Sequence, residues 1–174
     1  FDKSIIKYSI FLFLTVFKIS FGNSVSPKIN PIIFAYDFFS DTEDTEVDFV
    51  LMGGSMGTEN DTLAKAQKVV AIAALRKDCV AFVSPHKGNQ ISYSGSALSA
   101  SAQRENTLNF FNAITSTSFA VLDSGYKYMY DRFNDKYRYI PCNGDFAGLC
   151  VNVSSTVADW ISPAGLNRGG IRNA

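Results

Sequence analysis

The chain has 174 residues, 47% of them hydrophobic and 18% charged, so it folds as a globular domain and is excluded from the disordered class. Sixteen lysines and arginines balance sixteen aspartates and glutamates. A nucleic-acid binder carries a basic excess over the domain, which this chain lacks, whereas near-zero charge favours association between copies.

The first element is a strongly apolar run at residues 5–21, with Lys3 and Lys7 at its start. It has the order of a signal peptide, with a basic start, an apolar centre and small residues beyond. Lys18 interrupts the run, which weighs against a membrane span and against membrane insertion by this chain. Residues 1–30 are left unassigned, as signal-like or non-native, and a single domain is expected over 31–174. The starts and stops of the sequence suggest truncation at both ends.

An acidic loop at residues 41–46 leads to an apolar run at 47–52, the pattern of a strand buried on both faces. Asp61 or Thr62 is positioned to cap a helix running to about Lys77, with Leu63, Ala66, Val69, Val70, Ala73 and Ala74 on one face. Arg76 and Lys77 suit that helix's C-terminal dipole. Residues 79–83 form the next strand, stopped by Ser84-Pro85, and a polar loop at 86–99 follows. A second helix is predicted over 101–115, with Leu108, Phe111 and Ile114 inward, and a third strand over 119–122. Strand, helix, strand, helix, strand in this rhythm implies an α/β core of mostly parallel strands, βαβαβ, joined by right-handed crossovers and layered with helices.

The pattern then changes to a period of two. Tyr126, Tyr128 and Tyr130 alternate on one strand and Tyr137 and Tyr139 on its return, around Asn134-Asp135, which predicts a β-hairpin. A C-terminal helix opens at Gly144-Asp145 with Phe146, Leu149, Cys150 and Val153 inward. Trp160 and the turn Ser162-Pro163-Ala164-Gly165 close it, and Arg168-Gly169-Gly170 continues as loop.

Three places could carry chemistry. Gly53-Gly54-Ser55-Met56-Gly57 joins a strand to a helix, where phosphates bind helix N-termini. It matches neither dinucleotide nor P-loop spacing, and Glu59 and Asp61 stand where an anion would dock. It reads better as a tight turn, with a phosphate- or nucleotide-binding enzyme as the alternative. Ser84, His86 and Asp123 lie at strand ends, the usual address of α/β active sites, yet Pro85 follows Ser84 and there is no nucleophile elbow. The bland reading has His86 open an exposed loop and Asp123 cap a turn. His86 is the single histidine, and Cys79, Cys142 and Cys150 have neither disulfide nor metal-ligand spacing, so they read as buried small hydrophobes. The tyrosines of the hairpin, interleaved with Lys127, Arg132, Lys136 and Arg138, read as a protein–protein contact.

Three long segments carry a resemblance: RKDCVAFVSPHKGNQ at 76–90, LDSGYKYMYDRFNDKYRYIPCNGDFAGLC at 122–150 and WISPAGLNRGGIRN at 160–173. From residue 47 to 173 the sequence resembles the tail sheath proteins of large contractile-tailed bacteriophages of the T-even-like kind. The resemblance implies a structural subunit of the virion, assembled in the host cytoplasm, with neither enzymatic activity nor cofactor. It implies partners in other copies of the chain, the tail tube, the baseplate and the tail terminator, and contraction that drives the tube through the host envelope. Arms that knit neighbouring subunits are implied as well, the C-terminal one lying past this sequence. Assembly or scaffold roles fall on Tyr126, Tyr128, Tyr130, Arg132, Tyr137, Tyr139, Trp160, Pro163, Gly165, Arg168, Gly169 and Gly170.

Overall fold

The computed structural model of the chain describes residues 29–43 and 45–171. The apolar run at 5–21 lies outside the described residues. Element order is α1 (Ile29–Asp37), β1 (Phe49–Leu51), α2 (Glu59–Arg76), β2 (Val80–Val83), a 3-10 turn (Lys87–Asn89), α3 (Ala100–Asn112), β3 (Ala120–Leu122), β4 (Tyr126–Asp131), β5 (Lys136–Pro141) and α4 (Asn143–Thr156).

The predicted βαβαβ core is present. β1, β2 and β3 pair in that order and in parallel, with Val50 opposite Ala81 and Phe82 opposite Val121. Strand side chains alternate between faces, and the two faces of this sheet are covered differently. Val50, Ala81 and Val83 join one buried cluster with Ile32 and Tyr36 of α1, Ala66, Val69, Val70 and Ala73 of α2, and Phe110 and Ile114 around α3. Phe82 is buried outside that cluster, its ring edge-on to Phe49 at 5.4 Å, on the side where α4 contacts β1 and β2. The result is a layer of three helices, a sheet and a fourth helix.

Several boundaries differ from the sequence reading, each for a local reason. β1 is only three residues long, with Phe49 and Leu51 half-buried, because β2 is the central strand and β1 borders it on one side. α2 begins three residues earlier than Thr62. Thr58 is extended and its hydroxyl accepts from Asp61 N at 3.2 Å, which makes it the cap. Lys77 closes α2 in the left-handed conformation, its N–H bonded to Ala73 O.

α3 is rotated from the predicted face. Leu108 is exposed, and the inward stripe is Thr107, Phe110, Phe111 and Ile114. The cause is the loop before it, whose buried Gln90 donates to Thr107 Oγ1 and so covers that side. That loop faces solvent over most of its length, as at Tyr93 to Ala97, but Asn89, Gln90 and Ile91 are buried, and Ile91 bridges to Ala97. α4 starts one residue earlier than predicted, and its most buried positions are Asn143, Ala147 and Val153, with Phe146, Leu149 and Cys150 less buried.

Candidate functional site

Parallel strands send their carboxyl ends to one edge of the sheet, and loops there host most α/β chemistry. Here that edge gathers the Gly53 to Gly57 turn after β1, Ser84 and Pro85 after β2, and Asp123 after β3. Each polar group at this edge is turned onto another part of the chain.

Gly53 has φ +71, a conformation that disfavours side chains, and its carbonyl accepts from Asn143 Nδ2 at 2.9 Å. Gly54 O accepts from Lys65 Nζ at 2.9 Å. Lys65 projects from α2 and is 2% exposed, and burial lowers its pKa to about 8. Met56 N donates to Thr62 Oγ1, which in turn donates to Thr58 O. The turn is stapled from α2 and α4, and acidic Glu59 and Asp61 occupy the first turn of α2, where they oppose an anion.

Ser84 and Asp123 do meet. Ser84 Oγ donates to Asp123 Oδ2 at 2.6 Å, and Gly125 N donates to Oδ1 at 3.1 Å. Burial outweighs both bonds and pushes the Asp123 pKa up to about 6, with Asp145 adding to the rise. His86, by contrast, points elsewhere: its Nδ1 lies 2.9 Å from Thr62 Oγ1, and burial lowers its pKa against the opposing pull of Glu59. The bland reading of the sequence therefore holds only in part. Asp123 does bond to the turn N–H of Gly125, but it is buried, and His86 is half-buried. Among the described residues no buried side-chain nitrogen or oxygen lacks a hydrogen bond. The edge is a polar clasp.

Sequence reasoning missed Lys65 and Asn143 as clasp residues, and Arg76 as the anchor of the acidic loop at the other end of α2. Arg76 does more than face a helix dipole. Its guanidinium donates to Phe39 O, Asp41 O and Thr45 O and pairs with Asp78, which holds the acidic loop against the end of α2. The signal was present, since Thr62, Lys65, Val69, Ile72 and Arg76 follow one helical stripe, and all five are buried. Polar residues on an apolar stripe mark internal hydrogen bonding.

The hairpin sits beyond this edge. β4 and β5 pair antiparallel, with Tyr128 opposite Tyr139 and Tyr130 opposite Tyr137. Tyr126, Tyr128, Tyr130, Tyr137 and Tyr139 therefore share one face, and Lys127, Met129, Asp131, Lys136, Arg138 and Ile140 share the other. The base of the tyrosine face is anchored. Tyr126 OH donates to Pro85 O at 2.8 Å, its pKa raised by burial, Tyr139 OH donates to Gly95 O at 3.1 Å, and Lys87 lies over the Tyr139 ring. Toward the tip Tyr128, Tyr130 and Tyr137 pack with ring centroids 5.2 to 5.3 Å apart and remain exposed, and Arg132 lies over the exposed Phe133 ring.

After α4, Trp160 is exposed. Gly165 takes φ +126 and its carbonyl accepts from the N–H groups of Arg168 and Gly169. A Cβ on Gly169 would lie 3.1 Å from the carbonyls of Pro163 and Gly165, so a side chain there would crowd the turn's backbone, whereas Gly170 has open space. The structure brings the five hairpin tyrosines onto one face, and it gathers Gly165, Arg168 and Gly169 in this turn.

The chain is 32% identical over 161 residues to the tail sheath protein of Vibrio phage KVP40, a match that covers 87% of this chain. It is 34% identical over 149 residues to the tail sheath protein of Enterobacteria phage T4, covering 80% of this chain. The chain is related to the tail sheath proteins of T4-like phages. The tail sheath protein of Salmonella phage ViI matches 65% of it at 29% identity. This sheath-related chain spans 24%, 22% and 17% of the lengths of those three proteins. No family-level sequence model matches.

Proposed function

We propose that this chain belongs to the structural subunit of a contractile tail sheath, which polymerises with its own copies around a tail tube. The baseplate anchors the polymer, the terminator closes it, and contraction drives the tube through the host envelope. The observation that carries this reading is the extended similarity to sheath proteins over most of the chain. Work comes from the packing of subunits, so neither catalysis nor a cofactor is required. The inward pairing of Lys65, Thr62, Ser84, Asp123 and Asn143 supports a non-enzymatic role, since these groups are committed to holding loops together. The same pairing, with Glu59 and Asp61 beside it, weighs against a phosphate-binding enzyme built on the Gly53 to Gly57 turn.

In this reading residues 31–174 are part of the sheath α/β core. Tyr126, Gly165 and Gly169 serve as scaffold, and Tyr128, Tyr130, Arg132, Tyr137, Tyr139, Pro163, Trp160, Arg168 and Gly170 lie in or beside contact surfaces. The balanced charge fits protein partners and not nucleic acid. The virion tail is its place of work, reached by assembly in the host cytoplasm without membrane insertion.

The test is assembly. The gene product carrying this chain, expressed without other viral proteins and viewed by negative-stain electron microscopy, is expected to form tubes or stacked rings of regular diameter. Monodisperse monomers across salt and concentration, with purified tail tubes added or withheld, would overturn the reading.

A further inference from the structure

The stretch at residues 41–48 holds five acidic residues, Asp41, Glu43, Asp44, Glu46 and Asp48, and no lysine or arginine. Of these, Asp41, Glu43, Glu46 and Asp48 are exposed. Arg76 holds this loop by its backbone carbonyls, at Phe39, Asp41 and Thr45, and so fixes the chain without occupying those carboxylates. The hairpin region from 126 to 139 has the opposite balance, with Lys127, Arg132, Lys136 and Arg138 against Asp131 and Asp135. At its tip Arg132 and Lys136 are exposed, beside the exposed rings of Phe133 and Tyr137.

Strand polarity places these two features at opposite poles. The acidic loop enters β1 at its amino end, and the hairpin leaves β3 past its carboxyl end, with all three core strands parallel. Within one molecule they are kept apart by the length of the sheet. Between two molecules they are complementary in charge, and the aromatic tip supplies the desolvated surface that arginine and tyrosine bring to interface centres.

We propose that the hairpin tip of one copy docks on the acidic loop of the next. This inference rests on the sheath reading for its occupant, a second copy of this chain. A contact between two different patches is heterologous, so it repeats head to tail and builds rings or open helices. A pair of identical patches would stop at a dimer.

The experiment uses the gene product carrying this chain and two charge-reversed variants. One is Arg132→Glu with Lys136→Glu, and the other is Glu43→Lys with Glu46→Lys and Asp48→Lys, which leaves Asp41 and Asp44 against three lysines. All five side chains are exposed, and unchanged circular-dichroism melting verifies folding. The readout is the fraction of protein sedimenting as polymer at fixed concentration. Each variant alone now meets like charge at the contact, and its polymer fraction is expected to fall roughly tenfold or more. An equimolar mixture restores opposite charge at every contact between unlike variants, and polymer is expected to return to within about twofold of the unaltered level. Unaltered polymer in either variant alone, or no recovery on mixing, would overturn the docking contact while leaving the sheath reading intact. If the unaltered protein forms no polymer with or without added tail tubes, the sheath reading falls and takes the contact with it.

Discussion

The parallel core and the tyrosine hairpin both depend on aromatic and polar side chains, and they spend them in opposite directions. In the core, Phe82 is 2% exposed and Ser84, Lys65 and Asn143 each bond to another segment of the same chain. Toward the hairpin tip, Tyr137 is 61% and Phe133 85% exposed, and the rings of Tyr128, Tyr130 and Tyr137 pack on one another while staying exposed. A core that satisfies its own groups can fold as a unit. An aromatic ladder held out to solvent is costly for solubility and gains its value from a partner. The difference separates what keeps this chain folded from what it offers to other molecules.

The sharpest way to break that comparison is to damage the core. Phe82→Ala removes the ring that packs on Phe49 from the central strand, and is expected to cost about 3–5 kcal/mol in urea unfolding. Next comes Arg76→Met, which leaves three backbone carbonyls without their donor. It is expected to cost about 3 kcal/mol and to speed proteolysis within the acidic loop. A cost below about 1 kcal/mol would show that the loop is not held by this side chain.

The clasp should also be visible in pH dependence. Asp123 has a folded pKa of about 6, above its ordinary value of 3.8. The folded state thus holds the proton more tightly, and its contribution is fully present below about pH 4 and is lost as pH rises through 6. The loss amounts to about 3 kcal/mol for a shift of this size. Unfolding measured from pH 4 to 7 should show this decline on top of the other titrations, and Asp123→Asn should flatten it. An unchanged slope in Asp123→Asn would remove the buried carboxyl from the clasp. Smallest of all is the effect of Tyr137→Ser on stability, expected at below about 1 kcal/mol because the ring lies on an exposed cross-strand ladder. The same substitution should weaken assembly in the sedimentation measurement. A large stability loss with assembly unaffected would reverse the division drawn between the two regions.

Periodicity is enough to read the order of elements from residue 47 onward, since local alternation and helical spacing are properties of neighbouring residues. It also makes the tyrosine face of each hairpin strand legible, because tyrosines at every second position fall on one side of their strand, whereas the register that brings the two sets onto a common face is set by how the turn closes. The relationship to sheath proteins is legible in the sequence alone, carried by the three long segments at 76–90, 122–150 and 160–173. The apolar run at 5–21 carries no comparable signal. Nor does α1, whose nine residues are too few to set up a clear helical spacing.

The tertiary structure alone decided which face of α3 points inward, because Gln90 from a distant loop covers Thr107. It decided that His86 belongs with Thr62 on α2, although Ser84 stands two residues away in sequence. It brought Lys65 to Gly54, Asn143 to Gly53 and Arg76 to the carbonyls of 39, 41 and 45. Such pairings depend on where separate elements come together in space. Spacing along a single element carries no information about them, because a hydrogen bond between remote residues is set by the packing of the layers that carry them.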